Sequence, residues 1–149
     1  MSGKIYSINL SREKRIPKTP VAEAELIEGL GLRDDAHQGP GTRQVSLLSI
    51  ESIWRQAVCA NLKNKIKLGP GDFAENITTE GIDLAALKIG DMLKLGPEVI
   101  LEISKIGKEC HRFCSIYHKI GDCIMPREGI FARVLKGGKI RAGEKVEVR

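Results

Sequence analysis

Residues 69–83, GPGDFAENITTEGID, decide the fold class more than any other stretch of the chain. The Gly, Pro and Asp residues at its start predict a tight turn. Phe73–Thr79 follows and predicts a strand, because it is rich in β-branched side chains. Gly81–Leu87 is a short connector, and a Gly-Asp turn then leads into a further strand at Met92–Leu95. Short strands separated by Gly-rich turns are typical of a β-rich domain.

Alternating apolar residues on both sides of this stretch predict more strands. These are Lys4–Leu10, Gln44–Leu48, Val99–Ile103, Phe131–Leu135 and Lys145–Val148. Gly137 and Gly138, between the last two, predict a tight hairpin, because both central residues of a type I′ turn need positive φ. Val21–Ile27 is ambiguous, since its alternation favours a strand and its Ala and Glu residues favour a helix.

One segment has clear helical periodicity. Ser49 is a suitable N-cap, and the apolar positions after it recur at helical spacing: Ile50, Ile53, Trp54, Ala57 and Val58. We expect this helix to end near Leu62 and a second short helix to lie near residues 110–120. The sequence therefore predicts a β-dominated α+β fold, barrel-like or a folded sheet, in one domain over residues 1–149.

Composition narrows the functional classes. The chain has a net charge of +5 and only six aromatic residues, which leaves little for base stacking, so nucleic acid is not an expected partner. No apolar run reaches the 18 residues of a membrane span, and the first residues lack the apolar stretch of a signal peptide. A cytoplasmic location follows as the expectation, with the four cysteines as free thiols.

Residues 108–114, KECHRFC, hold the strongest candidate for chemistry. Basic neighbours lower a thiol pKa and raise its thiolate fraction, and a thiolate is what a soft metal or sulfur transfer needs. Cys110 and Cys114 are equally explained as small buried hydrophobic residues. A zinc site from these two cysteines with His111 and His118 is a third interpretation, although the spacing lacks a second ligand pair.

Three other segments offer ligand-binding groups. Arg43 ends a Gly-rich loop, residues 34–43, and its guanidinium suits a phosphate. Asn76 and Thr78 supply amide and hydroxyl groups of the kind that orient a ligand. Arg133 lies inside an apolar strand and needs a carboxylate or an anionic ligand if it is buried. Each segment is also explained by ordinary turn or surface chemistry.

Taken in order, the motifs resemble the MOSC family, which is named after the C-terminal domain of molybdenum cofactor sulfurases. The resembling segments are DAHQG at 35–39, RQV at 43–45, residues 70–83, LKIGD at 87–91, CH at 110–111, REGIFARVLKGG at 127–138 and IRAG at 140–143. The resemblance covers essentially the whole chain.

The resemblance implies a MOSC-type β-barrel-like fold and binding of the molybdenum cofactor, an anionic pterin. It implies that Cys110 is the metal ligand or a sulfur carrier, and so the catalytic residue of any reaction. Arg43, Asn76 and Arg133 match motif positions and, with Thr78 and His37, make up the expected cofactor-binding set. In short bacterial members Pro often precedes the Cys, whereas Glu109 stands here and would raise the thiol pKa.

The resemblance leaves three functions open. The first is a cofactor or sulfur carrier in molybdenum cofactor metabolism, working with a molybdoenzyme or a cofactor-synthesis protein. The second is a molybdenum-dependent reductase of N-hydroxylated compounds, which would need an electron-donor protein. The third is a zinc-binding or purely structural module. The sequence contains no counterpart of the pyridoxal phosphate domain of the sulfurases, so that cofactor is not expected.

Overall fold

The computed structural model describes residues 2–14, 16–55, 69–107 and 129–149. Eleven strands lie in these ranges: β1 (Ser2–Leu10), β2 (Thr19–Val21), β3 (Glu23–Ile27), β4 (Gly31–Leu32), β5 (Val45–Ser49), β6 (Ile77–Glu80), β7 (Met92–Leu95), β8 (Val99–Ile106), β9 (Ile130–Lys136), β10 (Gly138–Arg141) and β11 (Lys145–Val148). Helix α1 is described over residues 50–55, and a 3₁₀ turn spans Leu84–Ala86.

Seven strands form a closed β-barrel. Their order is β11-β7-β8-β9-β5-β6-β1, and β1 then pairs with β11 through Ser2–Lys4 and Lys145–Glu147. Strand β2 pairs with Ile8–Leu10 of β1, a stretch that lies beyond the part of β1 that pairs with β11. Closure leaves the barrel strands without an open edge, which confirms the barrel-like fold that the sequence predicts.

Strands β5 and β6 are parallel neighbours, with Leu47 opposite Ile77 and Ser49 opposite Thr79. Parallel strands need a crossover connection, and here the chain enters α1 directly after β5. The carboxyl ends of β5, β6 and β8 therefore meet at one end of the barrel, which we call the carboxyl end. The loops before β5 and β6 lie at the opposite end.

Side chains alternate between the barrel interior and its outer face. Val45 and Leu47 of β5 belong to the apolar core, as does Ile77 of β6. Leu48 and Phe73 are also buried, yet they lie outside that core. The outer face of β5 and β6 is therefore covered, and polar groups on it are shielded from water.

The hairpin predicted at Gly137 and Gly138 is wrong. Strands β9 and β11 do not pair; between them β10 pairs with β3 in a separate three-stranded sheet, β10-β3-β4. The first glycine is needed because a Cβ on Gly137 would lie 2.5 Å from the Leu26 carbonyl oxygen. Close approach of two backbones, rather than a turn, explains this residue.

Two other strand predictions change in detail. The strand predicted from Phe73 begins only at Ile77, because Gly71 and Ala74 adopt positive φ angles of 86° and 62° and keep the preceding chain in turns. The ambiguous segment at residues 21–27 is extended: Val21 ends β2, and Glu23–Ile27 forms β3, which pairs with β4 and β10.

The predicted N-cap of α1 is confirmed. Ser49 Oγ accepts the backbone N–H of Ser52 at 3.1 Å. Ser49→Ala is expected to lower the free energy of unfolding by about 1 kcal/mol, because it leaves this buried N–H without its acceptor. Urea denaturation measures the change, and Ser49→Thr, which keeps a capping oxygen, should recover most of it. An alanine variant as stable as the wild type would contradict the capping role.

Among the described residues, the structure contains no helix with the length and apolar character needed to cross a bilayer.

Candidate functional site

A cleft of about 510 Å³ opens at the carboxyl end of the barrel. One wall is made by Ser49, Ser52 and Arg55, and the facing wall by residues 81–85, which follow β6. Ile106 and Ile130, from the paired ends of β8 and β9, complete it. Its volume is in the range of small-molecule sites, and such sites commonly lie beyond the carboxyl ends of parallel strands.

The polar wall of the cleft is ordered by hydrogen bonds. Ser49 Oγ donates to Ser52 Oγ at 2.9 Å, and Arg55 Nη2 donates to the same oxygen at 3.1 Å. Two carboxylates also line the cleft. Glu51 accepts from the Gly81 N–H at 3.2 Å, and Asp83 caps the 3₁₀ turn by accepting from the Ala85 N–H at 3.1 Å.

Cys110 lies outside the described residues, within the segment 108–128 that joins β8 to β9. The base of that segment is fixed, because the Gly107 N–H donates to the Gly129 carbonyl at 2.8 Å. Ile106 and Gly129, on either side of this base, both line the cleft. The chain that carries Cys110 therefore leaves and re-enters the barrel at the cleft wall.

Arg43 is exposed and belongs to the loop before β5. Its guanidinium carbon is 5.9 Å from the centre of the Phe131 ring, an arrangement that holds the cation over the aromatic face. Phe131 pairs with Lys105, next to the end of β8. Arg133 lies farther along β9, where its Nη1 is 3.3 Å from Glu102 Oε1. The partner of Arg133 is thus a carboxylate of the neighbouring strand.

Asn76 and Thr78 lie in a buried polar network on the outer face of β1, β5 and β6. Asn76 Oδ1 accepts from the backbone N–H of Ser46 at 3.0 Å, and Asn9 Nδ2 donates to Thr78 Oγ1 at 3.0 Å. Both side chains are fully buried. In this structure their hydrogen bonds hold strands and loops together, so a cofactor role for either remains a prediction.

Glu75 is the ionisable member of that network. Its Oε2 accepts the Thr78 hydroxyl at 2.6 Å and the Gly71 N–H at 3.0 Å, while its Oε1 has no hydrogen-bond partner. Burial raises the pKa of Glu75 from 4.5 to about 7, against these two donors, which lower it. The Glu75 carboxyl group therefore keeps its proton to a higher pH than an exposed glutamate does.

His37 is half-buried and belongs to a second polar group, which we call the ion-pair cluster: Lys18, Asp35 and His37. Lys18 Nζ lies 2.8 Å from Asp35 Oδ1 and 3.0 Å from His37 Nδ1. Because an ammonium group can only donate, the second contact assigns the acceptor role to Nδ1 and the proton of a neutral ring to Nε2. The side chains of Lys18 and Asp35 are each 1% exposed.

Asp35 remains ionised in this cluster. Burial alone would raise its pKa, but the hydrogen bond and charge of Lys18, with the N–H groups of Ser11 and His37, outweigh burial and lower it. The pair of Lys18 with Asp35 ties the loop before β2 to the loop before β5. The backbone N–H of Lys18 also donates to the Gly71 carbonyl at 2.7 Å, which ties the same loop to the one before β6.

The structure thus divides the predicted site residues between several places. Arg43 lies over Phe131, two residues after Gly129, whereas Asn76 and Thr78 are buried in the network and His37 is in the ion-pair cluster. Sequence reasoning did not single out Ser52, Arg55, Lys18 or Glu75. The helical spacing of residues 49, 52 and 55 was a usable signal for the cleft wall; Lys18 offered none, because it looks like any surface lysine.

The proposed zinc ligands also fall in the segment 108–128, outside the described residues. Among the residues that the structure does describe, no group of three or more His, Cys, Asp or Glu side chains is placed to hold a metal ion.

Comparison with known proteins gives a family match over most of the chain. The model of the MOSC domain matches residues 34–147. This range includes the cleft wall, Arg43, Asn76, Thr78 and Cys110, and it leaves out β1, β2, β3 and β4. A search of curated proteins finds no match.

Solved structures agree with the fold. The YuaD protein from Bacillus subtilis is 18% identical with a TM-score of 0.76, and the match covers 99% of this chain and 96% of that one. YiiM from Escherichia coli is 20% identical with a TM-score of 0.73, covering 100% of this chain and 70% of YiiM. YiiM from Geobacillus stearothermophilus is 21% identical with a TM-score of 0.73, covering 100% and 75%.

Proposed function

Because the chain belongs to the MOSC domain family, we propose that it binds the molybdenum cofactor and uses Cys110 as the thiolate ligand of the metal or as a carrier of sulfur. The observation that supports this proposal is the hydrogen bond from the Gly107 N–H to the Gly129 carbonyl, which holds together, at the wall of the cleft, the described residues on either side of the segment with Cys110. Three residues of extended chain span at most about 11 Å, so Cys110 stays within that distance of Gly107.

The residues near this base fit the group. A thiolate is a suitable ligand for a soft metal centre, and an exposed guanidinium fits the acceptor oxygens of an anionic pterin. Arg43 supplies that guanidinium, and Phe131 restricts its position. The cleft that Gly129 lines has the volume of a small-molecule site. When bound, the cofactor would supply a metal centre for oxygen-atom or sulfur chemistry.

The chain's own contribution would be to hold and shield the group. Arg43 would orient it from one side of the base through its N–H donors. The apolar wall formed by Ile82, Ile106 and Ile130 would exclude water from the other side. A basic environment would favour the thiolate form of Cys110.

A reductase of N-hydroxylated compounds is the second candidate, favoured by the cleft itself. A carrier needs to hold only the cofactor. An enzyme also needs space for a substrate beside the metal, and the cleft that Gly129 lines would provide that space. An electron-donor protein would then be the partner. Reduction of an N-hydroxylated base by loaded protein with an artificial electron donor, and its absence without the donor, would distinguish the enzyme from the carrier.

Molybdenum loading tests the role of Cys110. Protein purified from cells that make the cofactor should contain molybdenum and yield a fluorescent oxidised pterin. Cys110→Ser should reduce the molybdenum content at least tenfold, because a hydroxyl is a poor replacement for a thiolate ligand. Metal analysis by mass spectrometry measures this, and Cys59→Ser is the matched control for removing a thiol.

Two results would contradict the proposal. Wild-type protein that carries neither molybdenum nor pterin would exclude cofactor binding. Loading that survives Cys110→Ser at the wild-type level would remove Cys110 from the site, and zinc at one atom per chain would support the zinc-binding module instead.

A further inference from the structure

The end of the loop before β5, residues 42–44, is attached to strands β8 and β9 at each of its three residues. Ser104 of β8 donates its hydroxyl to the Thr42 carbonyl at 2.6 Å. The guanidinium of Arg43 lies over the ring of Phe131 in β9. An arginine side chain that rests on a buried ring has less freedom than one that extends into water.

Gln44 makes the third attachment with both ends of its side-chain amide. Its Oε1 accepts the Val134 N–H of β9 at 2.9 Å, and its Nε2 donates to the Gly41 carbonyl at 3.1 Å. Gln44 is buried, so these bonds are shielded from water. The backbone on both sides of Arg43 is therefore fixed to the barrel.

The charge of Arg43 has no carboxylate partner. Within the ranges that the structure describes, no Asp or Glu side chain forms an ion pair with its guanidinium. Other arginines of the chain are each paired with a glutamate, namely Arg33, Arg133 and Arg141. A guanidinium that is held in place but unpaired keeps its N–H donors for an anionic ligand.

The contacts that hold Arg43 come from the strands on either side of the segment with Cys110. Ser104 is three residues before Gly107, and Phe131 is two residues after Gly129. Strands β8 and β9 thus hold the cation of the loop and also meet at the cleft wall.

We propose that Ser104, Gln44 and Phe131 are positioning residues, which hold the Arg43 guanidinium in place for the anionic pterin without contacting the cofactor themselves. The inference rests on the proposed function and adds to it three residues that act only through Arg43. Ordering a long side chain before the ligand arrives removes part of the entropic cost of binding. Loss of any of the three contacts should therefore speed release of the cofactor.

The first measurement needs no cofactor. In protein from cells that lack it, ¹⁵N relaxation should give the Arg43 Nε an order parameter above about 0.6. Phe131→Leu, Ser104→Ala and Gln44→Leu should each lower that value, whereas Phe131→Tyr, which keeps the ring, should preserve it. Arg12, at an exposed position, is the reference for a mobile side chain and should lie below about 0.6.

The second measurement is the rate at which loaded protein releases pterin, followed from the fluorescent oxidised pterin that stays with the protein. Arg43→Gln should speed release about tenfold, and Phe131→Leu and Ser104→Ala about threefold each. Adding Phe131→Leu to Arg43→Gln should cause no further increase, because Phe131 acts through Arg43. Ser11→Ala is the matched control for Ser104→Ala, since the Ser11 hydroxyl also donates to a backbone carbonyl, that of Glu13 at 2.9 Å. It should release pterin like the wild type.

An Arg43 side chain as mobile as that of Arg12 in the wild type, or unaffected by Phe131→Leu, would overturn the inference. Faster release from the double variant than from Arg43→Gln alone would also overturn it, since Phe131 would then act independently of Arg43. Wild-type protein that carries no pterin would refute the proposed function instead. The order parameters alone would then decide whether the three residues hold Arg43.

Discussion

Replacing Lys18 with methionine is expected to lower the free energy of unfolding by about 3–5 kcal/mol at neutral pH. The substitution keeps the length and apolar stem of the side chain but removes the cation from Asp35, whose carboxylate is 1% exposed. Asp35 would retain the N–H groups of Ser11 and His37 and lose its only charged partner in the ion-pair cluster. A buried carboxylate without its cation is the physical source of the loss.

Chemical denaturation at pH 7 measures this effect, and Lys4→Met is the matched control. Lys4 is 3.4 Å from Glu80, but the two side chains are 56% and 33% exposed, so breaking that pair should cost less than about 1 kcal/mol. Adding Asp35→Asn to the Lys18 variant should recover part of the loss, because it removes the unpaired charge. A Lys18 variant within 1 kcal/mol of the wild type would show that the buried pair contributes little.

Glu75→Gln is expected to remove a pH dependence of stability worth about 3 kcal/mol between pH 4 and pH 8. The folded-state pKa of Glu75, about 7, lies above the value of 4.5 in the unfolded chain. The folded protein therefore binds this proton more tightly. The stability that this bound proton gives to the folded state is fully present below about pH 4.5 and is lost as the pH rises through about 7.

The relevant quantity is the difference in free energy of unfolding between Glu75→Gln and the wild type, measured from pH 4 to pH 8. That difference should grow in favour of glutamine as the pH rises, since glutamine never ionises. Its amide oxygen can accept from Gly71 and Thr78 as Oε2 does. Glu13→Gln, at an exposed glutamate, is the matched control. A difference that stays constant across this range would refute a raised pKa for Glu75.

The fold class could be predicted from the sequence because strand alternation and turn residues are local signals. The same reasoning failed at Gly137, where the decisive contact is with the Leu26 carbonyl far away in the chain. The start of β6 was placed too early because Ala74, a residue that rarely takes positive φ, does so here. Neither the contact of Gly137 nor the positive φ of Ala74 can be deduced from the residues next to them in the sequence.

The site was only partly predictable for a similar reason. The sequence indicates Arg43 as a cation in a Gly-rich loop, but its contact with Phe131, far away in the chain, is visible only in the fold. Ser52 and Arg55 follow Ser49 at helical spacing, so their position on one side of the helix could have been predicted from the sequence.

The pairing of β1 with β11 has a consequence for biosynthesis. On a ribosome, the strand from Ser2 to Leu10 emerges early, and its partner at Lys145–Val148 is made roughly 7–30 seconds later at about 5–20 residues per second. Until then the edge of β1 that β11 will occupy is exposed, and such an edge can pair with a neighbouring nascent chain.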